Sequence, residues 1–280
     1  MRTANLSGRL VLLVDGLAVD VERAGDGRFT ADPQAVYQRW GEFRSWAASA
    51  RLPEGVAFDP SDLGSPAPAP RQLLAVGLNY RDHAAESGFT LPEGLPPVFT
   101  KFATSITGPV TEVTLPPGGS TDWEVELVAV IGQQCRNVAQ VGVWGRIAGV
   151  TIGQDLSERI TQMSGPAPQF SLGKSLPGFT PMGPCLVTPE EFADIDDLEL
   201  RATIDGEEVQ KGRTRDLIFS VPALVSRLSA LLPLLPGDVL FTGTPAGVGW
   251  GREPQRFLHP GEELVSTIDG IGELRQRFIA

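Results

Sequence analysis

The sequence predicts an α+β protein, a mixed β-sandwich or β-roll preceded by a small N-terminal domain. Three observations carry this. Short apolar runs recur along the chain, each closed by Gly or Pro. The 280 residues include 32 Gly and 24 Pro, which leaves little room for long helices. Hydrophobic residues make up 41% and charged residues 20%, the balance of a globular chain able to bury roughly three-quarters of its unfolded surface.

The elements follow in order. Leu10-Val11-Leu12-Leu13-Val14 reads as a strand that turns at Asp15-Gly16 and returns through Leu17 to Val21, a hairpin signal. A helix is expected around Pro33 to Ala50, where Ala, Arg, Trp and Glu fall at helical spacing. Ser61 to Pro70 alternates Pro with small residues and reads as a semi-extended linker. Residues 1–70 are thus expected to be a small leading domain with its linker, and 71–280 the main domain. In that domain, strands are expected at Leu73–Leu78, Glu124–Ile131, Ile147–Ile152, Cys185–Thr188, Leu198–Ile204, Val239–Thr242 and Leu264–Ile268. The clearest helix is Val221–Leu232, with Ser220 as N-cap and Pro222 in its first turn.

Composition limits the functional classes. A net charge of -11 argues against nucleic-acid binding, which rests on phosphate neutralisation by Lys and Arg. No apolar run approaches a membrane span, and the N-terminal run, broken by Asp15, is too short for a signal sequence. Cys135 and Cys185 are the only cysteines. A Cys₄ zinc site is therefore impossible, and two reduced thiols in a cytoplasmic protein is the simpler reading than one disulfide.

The candidate site residues start from Asp122-Trp123-Glu124-Val125-Glu126. Strand alternation points Glu124 and Glu126 the same way, at the head of a face continued by Val128 and Val130. Two carboxylates opening an apolar face suit a hard divalent cation; the plainer alternative is the solvated face of an edge strand. Asp155 ends the Ile147–Ile152 strand and is placed to add a third oxygen, or else to cap the turn that follows. Arg159 and Gln162 follow it at helical spacing.

Only two histidines exist. His83 and Glu86 share a helical face, where a carboxylate would make the imidazole a better base; the alternative is an ordinary surface pair. His259 reads as a turn residue. Lys174 sits in Gly173-Lys174-Ser175, but Pro168 stands where a P-loop needs Gly, so the lysine is at most an anion-facing charge. Thr244 lies in a Gly-rich loop after Val239–Thr242 that lacks both the dinucleotide fingerprint and its following helix. No G-x-S-x-G elbow is present.

Five motifs in order, GLNYRDHAAE, DWEVELVAVIG, GQDLSERITQ, FSLGKS…GP and PGDVLFTGTPAGVG, resemble the fumarylacetoacetate hydrolase family over about residues 71–280. The resemblance implies a mixed β-sandwich roll, a homodimer and a Mg²⁺ or Mn²⁺ site. It implies Glu124, Glu126 and Asp155 as metal ligands, and His83 with Glu86 as a catalytic dyad on a lid. Lys174 would be the active-site lysine, and Arg159, Gln162 and Thr244 substrate-binding residues. Glu158-Arg159-Ile160 departs from a common Ala-Arg-Asp, and Ser175-Leu176-Pro177 from a Ser-Phe-Asp type run. Asp82 has the wrong spacing for the extra carboxylate ligand of larger members, so no fourth ligand is assigned.

The function this implies is divalent-metal-dependent hydrolysis of a C–C bond in a β-diketo or acylpyruvate-type acid, through a metal-stabilised enolate. The partner is then a small 2-oxo or diketo acid, with neither nucleic acid nor membrane. Decarboxylation of a 2-oxo acid such as oxaloacetate, hydration and isomerisation draw on the same chemistry. A metal-containing binding protein without catalysis is the alternative from another class.

Overall fold

The computed structural model describes residues 1–86 and 94–280. The protein is α+β, with two mixed sheets and few helices. Among the described residues the larger sheet has eleven strands and the smaller has five. The main path of the larger sheet runs Leu17–Asp20, Arg9–Val14, Arg2–Leu6, Thr180–Val187, Ile147–Gln154, Val125–Ile131, Val239–Phe241, Leu73–Val76 and Val98–Thr100. Most neighbours are antiparallel, but Val239–Phe241 runs parallel to Leu73–Val76. The smaller sheet joins Glu207–Arg213, Glu199–Ile204, Glu263–Ile268, Gly272–Ile279 and Val110–Thr114.

Val125–Ile131 is buried at every position. Its pattern is not one of alternation because both faces carry a core. Val125, Leu127, Ala129 and Ile131 meet Leu200, Ala202, Leu264 and Phe278 of the smaller sheet. Val128 and Val130 point the other way, into a cluster with Val36, Tyr37, Trp40 and Phe43. This strand is therefore central, and the edge-strand alternative for Glu124 and Glu126 fails.

Most expected elements stand within a few residues of their sequence bounds. The leading hairpin pairs Val14 with Leu17 across Asp15 (φ 49°) and Gly16 (φ 79°), both left-handed as a type I′ turn requires. The helix at Val221–Leu231 is capped by Ser220, which accepts from the Ala223 amide. The expected helix at 33–50 begins as a 3₁₀ turn, Ala35–Arg39, and becomes α-helical at Trp40–Ala47. Val36, Tyr37, Trp40 and Phe43 are buried along it, and the spacing of three from Tyr37 to Phe43 suits a tight first turn.

The linker reading needs correction. Ser65, Pro66, Ala67 and Pro70 are buried. Tyr37 donates its hydroxyl to the Pro66 carbonyl at 2.9 Å, and Asn5 donates its amide to the Ser65 carbonyl at 2.9 Å. Residues 1–70 also do not stand apart from the rest. Arg2–Leu6 pairs with Thr180–Val187, and the helix at Trp40–Ala47 covers the outer face of the larger sheet. Gly132 marks the closeness of that cover, since a Cβ there would lie 2.8 Å from the Trp40 ring. No helix among the described residues is long and apolar enough to cross a membrane. Cys135 and Cys185 are both free and buried.

Candidate metal centre and active site

The site forms where the central strands end. Glu124 immediately precedes Val125–Ile131, and Glu126 lies two residues on. Asp155 follows Ile147–Gln154, the antiparallel neighbour, and its amide donates to the Glu124 carbonyl at 2.9 Å. One carboxylate oxygen from each of Glu124, Glu126 and Asp155 lies within 4.8 Å of the others, and all three residues are buried.

Three buried cations face these carboxylates. Lys174 donates to Glu124 at 3.0 Å and to Asp155 at 2.6 Å. Lys101 pairs with the other Asp155 oxygen and donates to the Phe179 carbonyl at 2.9 Å. Arg159 reaches Glu124 at 2.8 Å and Asp122 at 2.6 Å. Burial pushes the Glu124 carboxyl up, but Lys174 and Arg159 outweigh it and hold it at about 2. Burial pushes Lys174 down, yet Asp155 and Glu124 outweigh it, so its ammonium stays charged. Burial pulls Lys101 below its ordinary value in spite of Asp155.

Glu126 differs from its neighbours. It has no ion-pair partner among the described residues and accepts one backbone amide, from Gly243 at 2.6 Å. Burial and the charges of Asp155 and Glu124 push its carboxyl well above the usual range. Four buried carboxylates, counting Asp122, thus face three cations. A divalent cation among the three clustered carboxylates would supply the missing positive charge. The all-oxygen donor set, with room left for water or substrate, fits a hard ion such as Mg²⁺ or Mn²⁺.

Through Glu124 the cluster borders a cleft of about 230 Å³. His83, Arg159, Gln162, Lys174 and Thr244 line it along with Glu124. His83 and Glu86 lie on the short helix Arg81–Glu86, their Nδ1 and Oε2 atoms 3.4 Å apart, a long contact. The Glu86 carboxylate also accepts the Gly247 amide at 3.1 Å. It is therefore fixed between the imidazole and the Gly-rich loop. The lid expected here would continue into residues 87–93, which lie outside the described residues.

Asp155 is not the helix cap. The turn Arg159–Gln162 is capped by Glu158, which accepts the Ile160 and Thr161 amides. Between Asp155 and that turn the chain is extended, with Ser157–Glu158 paired to Thr121–Asp122. Arg159 and Gln162 therefore do not share a helical face with Asp155. They adjoin each other, the arginine donating to Gln162 Oε1 at 2.9 Å. Gly173 lets the lysine turn approach this segment, since a Cβ would lie 2.5 Å from the Gln162 amide. Thr244 lines the cleft, but its hydroxyl already donates to the Val125 carbonyl at 2.9 Å and accepts from Gln210 at 2.8 Å. It pins the loop to the strand and has no free proton to donate.

Two residues escaped the sequence reading. Lys101 is one of only three lysines in a chain with twenty arginines, a rarity that could have singled it out. Asp122 gathers Arg159 and the amides of Trp123, Gly249 and Trp250. It ties the arginine to the loop that closes the cleft. Its place beside Glu124 in the acidic run was the available signal.

Comparison with known proteins agrees with this architecture. The model for the fumarylacetoacetate (FAA) hydrolase C-terminal family matches residues 72–279. A crystal structure from Mycobacterium smegmatis, provisionally described as an HpcE protein, is 56% identical. It superposes with a TM-score of 0.96, covering 100% of this chain and 99% of that one. The human mitochondrial oxaloacetate tautomerase FAHD2A is 38% identical over 77% of this chain and 68% of its own length. The 2,4-didehydro-3-deoxy-L-rhamnonate hydrolase of a Sphingomonas strain is 41% identical over 76% of this chain and 75% of its own.

Proposed function

Because the chain belongs to the fumarylacetoacetate hydrolase family of metal-dependent enzymes, we propose that it hydrolyses a C–C bond in a β-diketo acid of the acylpyruvate type. The observation that carries this is the convergence of Glu124, Glu126 and Asp155 beside a cleft that Glu124, His83 and Lys174 line. The three carboxylates would hold Mg²⁺ or Mn²⁺. Such an ion supplies Lewis acidity toward a 2-oxo acid and an orienting point for its oxygens.

The side chains take the remaining roles. Glu86, on the Nδ1 side of His83, orients the ring and leaves Nε2 toward the cleft, where it takes a proton from water. The resulting hydroxide adds to the distal carbonyl carbon. The C–C bond then breaks, its electrons pass into the 2-oxo acid portion, and protonation there gives a 2-oxo acid beside a carboxylic acid. Lys174 stays cationic and stabilises negative charge as it develops, a task for a fixed cation and not for a base. Arg159 and Gln162 hold substrate oxygens, and Thr244 shapes the wall.

A second reading has a specific observation behind it, the kinship to a protein named as an oxaloacetate tautomerase. Tautomerisation needs the proton transfer at His83 without the attack of water, and decarboxylation likewise needs no water. Product analysis by NMR separates the three. Paired acids support hydrolysis, CO₂ release supports decarboxylation, and enol–keto exchange alone supports tautomerisation. A His83→Ala protein with unchanged turnover would remove the base from this scheme.

A further inference from the structure

Gly251 lies where nothing in the backbone calls for glycine. It closes the short 3₁₀ turn Gly249–Gly251, and its φ is outside the left-handed region that favours glycine. What it meets is one side chain. A Cβ on Gly251 would overlap Glu86 Cγ and lie 2.6 Å from its Cδ and 2.8 Å from its Oε1. Glu86 supplies all three of the nearest atoms, so it is Glu86 that requires the bare Cα. The turn itself is firmly seated. Asp122 accepts the Gly249 amide at 2.7 Å and the Trp250 amide at 2.9 Å. The Arg256 amide donates to the Gly249 carbonyl at 3.1 Å, and a Cβ on Gly249 would fall on the Arg256 carbonyl oxygen. Gly247 donates its amide to Glu86 at 3.1 Å. Residues 247–251 therefore hold the Glu86 side chain with an amide at one end and a bare Cα at the other, while Asp122 fixes the turn.

We infer that Gly251 is a positioning residue: the space left by its missing side chain sets the Glu86 carboxylate against Nδ1 of His83. This rests on the reading of His83 and Glu86 as the proton-transfer pair and adds what fixes their geometry. Because backbone hydrogen bonds hold the turn, the Glu86 side chain, free to rotate about its own bonds, would yield to an added methyl group. An ordinary carbon–carbon separation requires a shift of about 1 Å. Nδ1 and Oε2 stand 3.4 Å apart. A carboxylate displaced that far keeps neither this contact nor the Gly247 hydrogen bond at its present geometry. The imidazole then loses the partner that holds its proton on Nδ1 and leaves Nε2 free to accept one.

The test is Gly251→Ala in the full chain. The variant should fold, with Tm within about 3 °C of wild type. Its Mg²⁺ affinity by calorimetry should be unchanged, since Gly251 is not among the clustered carboxylates. Long-range ¹H–¹⁵N NMR reads the tautomer of the neutral imidazole, with His259, the only other histidine, as internal reference. Wild-type His83 should carry its proton on Nδ1, and Gly251→Ala should lose that preference. With 2,4-dioxooctanoate and Mg²⁺, kcat should fall about 10- to 100-fold, the cost of misplacing a catalytic group by roughly 1 Å, while KM stays near wild type. The loss should vanish in a Glu86→Ala background, where no atoms remain beyond Cβ for the methyl group to meet. A wild-type ring protonated on Nε2, an unchanged tautomer in Gly251→Ala, or equal fold losses with and without the Glu86 side chain overturns the assignment. A changed tautomer with turnover intact leaves Gly251 as the seat of Glu86 and removes His83 as the base. If wild type cleaves no such acid, the hydrolase reading fails and the tautomer alone decides the role of Gly251.

Discussion

Replacing Lys101 with Met tests whether the buried charges are balanced as described. The ammonium is fully buried, pairs with Asp155 and satisfies the Phe179 carbonyl. Met fills similar space without charge, so packing is largely kept. Breaking a buried pair from one side costs about 3–5 kcal/mol, because the remaining charge is left uncompensated. The stranded Phe179 carbonyl adds to this, and the retained Lys174–Asp155 contact subtracts from it. A net loss of about 3 kcal/mol follows, a fall in Tm of roughly 6–12 °C for a chain of this size. A divalent cation held by the clustered carboxylates would neutralise Asp155 as Lys101 does, so Mg²⁺ should restore part of the loss and raise Tm more in the variant than in wild type. Thermal unfolding with EDTA and with saturating Mg²⁺ gives all four values. A variant within about 2 °C of wild type in EDTA, or an equal Mg²⁺ shift in both proteins, would show that Lys101 does not balance Asp155.

Other outcomes follow from the same geometry. His83→Ala should lower kcat by about 10²–10⁴ while Mg²⁺ affinity by calorimetry stays unchanged, because the imidazole is not among the clustered carboxylates. Asp122→Asn should weaken the hold on Arg159 and on the Gly249 and Trp250 amides together; we expect KM to rise about tenfold or more with Tm lowered only modestly. Burial and its acidic neighbours raise the Glu126 carboxyl, so the metal-free protein should lose stability as pH climbs through that raised value and keep it below the ordinary carboxylate range. Metal binding on the acid side of the raised value should therefore release a proton. Calorimetry in buffers of different ionisation enthalpy detects that proton, and Glu126→Gln should abolish it.

The parts of this protein that could be read from sequence are those whose cause is local. Val125–Ile131 and Ile147–Gln154 show as apolar runs stopped by Gly or polar residues, and the period of two aligned Glu124 with Glu126 before any fold was known. The hairpin announced itself through Asp15-Gly16. What escaped depends on distant partners. Lys101 acquires meaning only from Asp155, 54 residues away. The helix-cap alternative for Asp155 stays open in the sequence because the pairing of Ser157–Glu158 with Thr121–Asp122, which keeps the chain extended there, is nonlocal. The expectation that Thr244 binds substrate could not include its hydrogen bond to the Val125 carbonyl, because nothing near it in sequence reveals that partner. The Pro-Ala run resembled a linker because composition does not record burial, and small residues such as Ser65 and Ala67 are easily covered.

If the three clustered carboxylates and His83 serve hydrolysis of a C–C bond next to a 2-oxo acid, turnover needs the ion and yields two acids. The most direct measurement is ¹H NMR of 2,4-dioxooctanoate incubated with the Mg²⁺-loaded protein, with the EDTA-treated protein beside it. Pyruvate and pentanoate should form in equal amounts, and only with the ion present. Paired acids forming equally well in EDTA, or an ion-dependent loss of substrate without pentanoate, would contradict this chemistry.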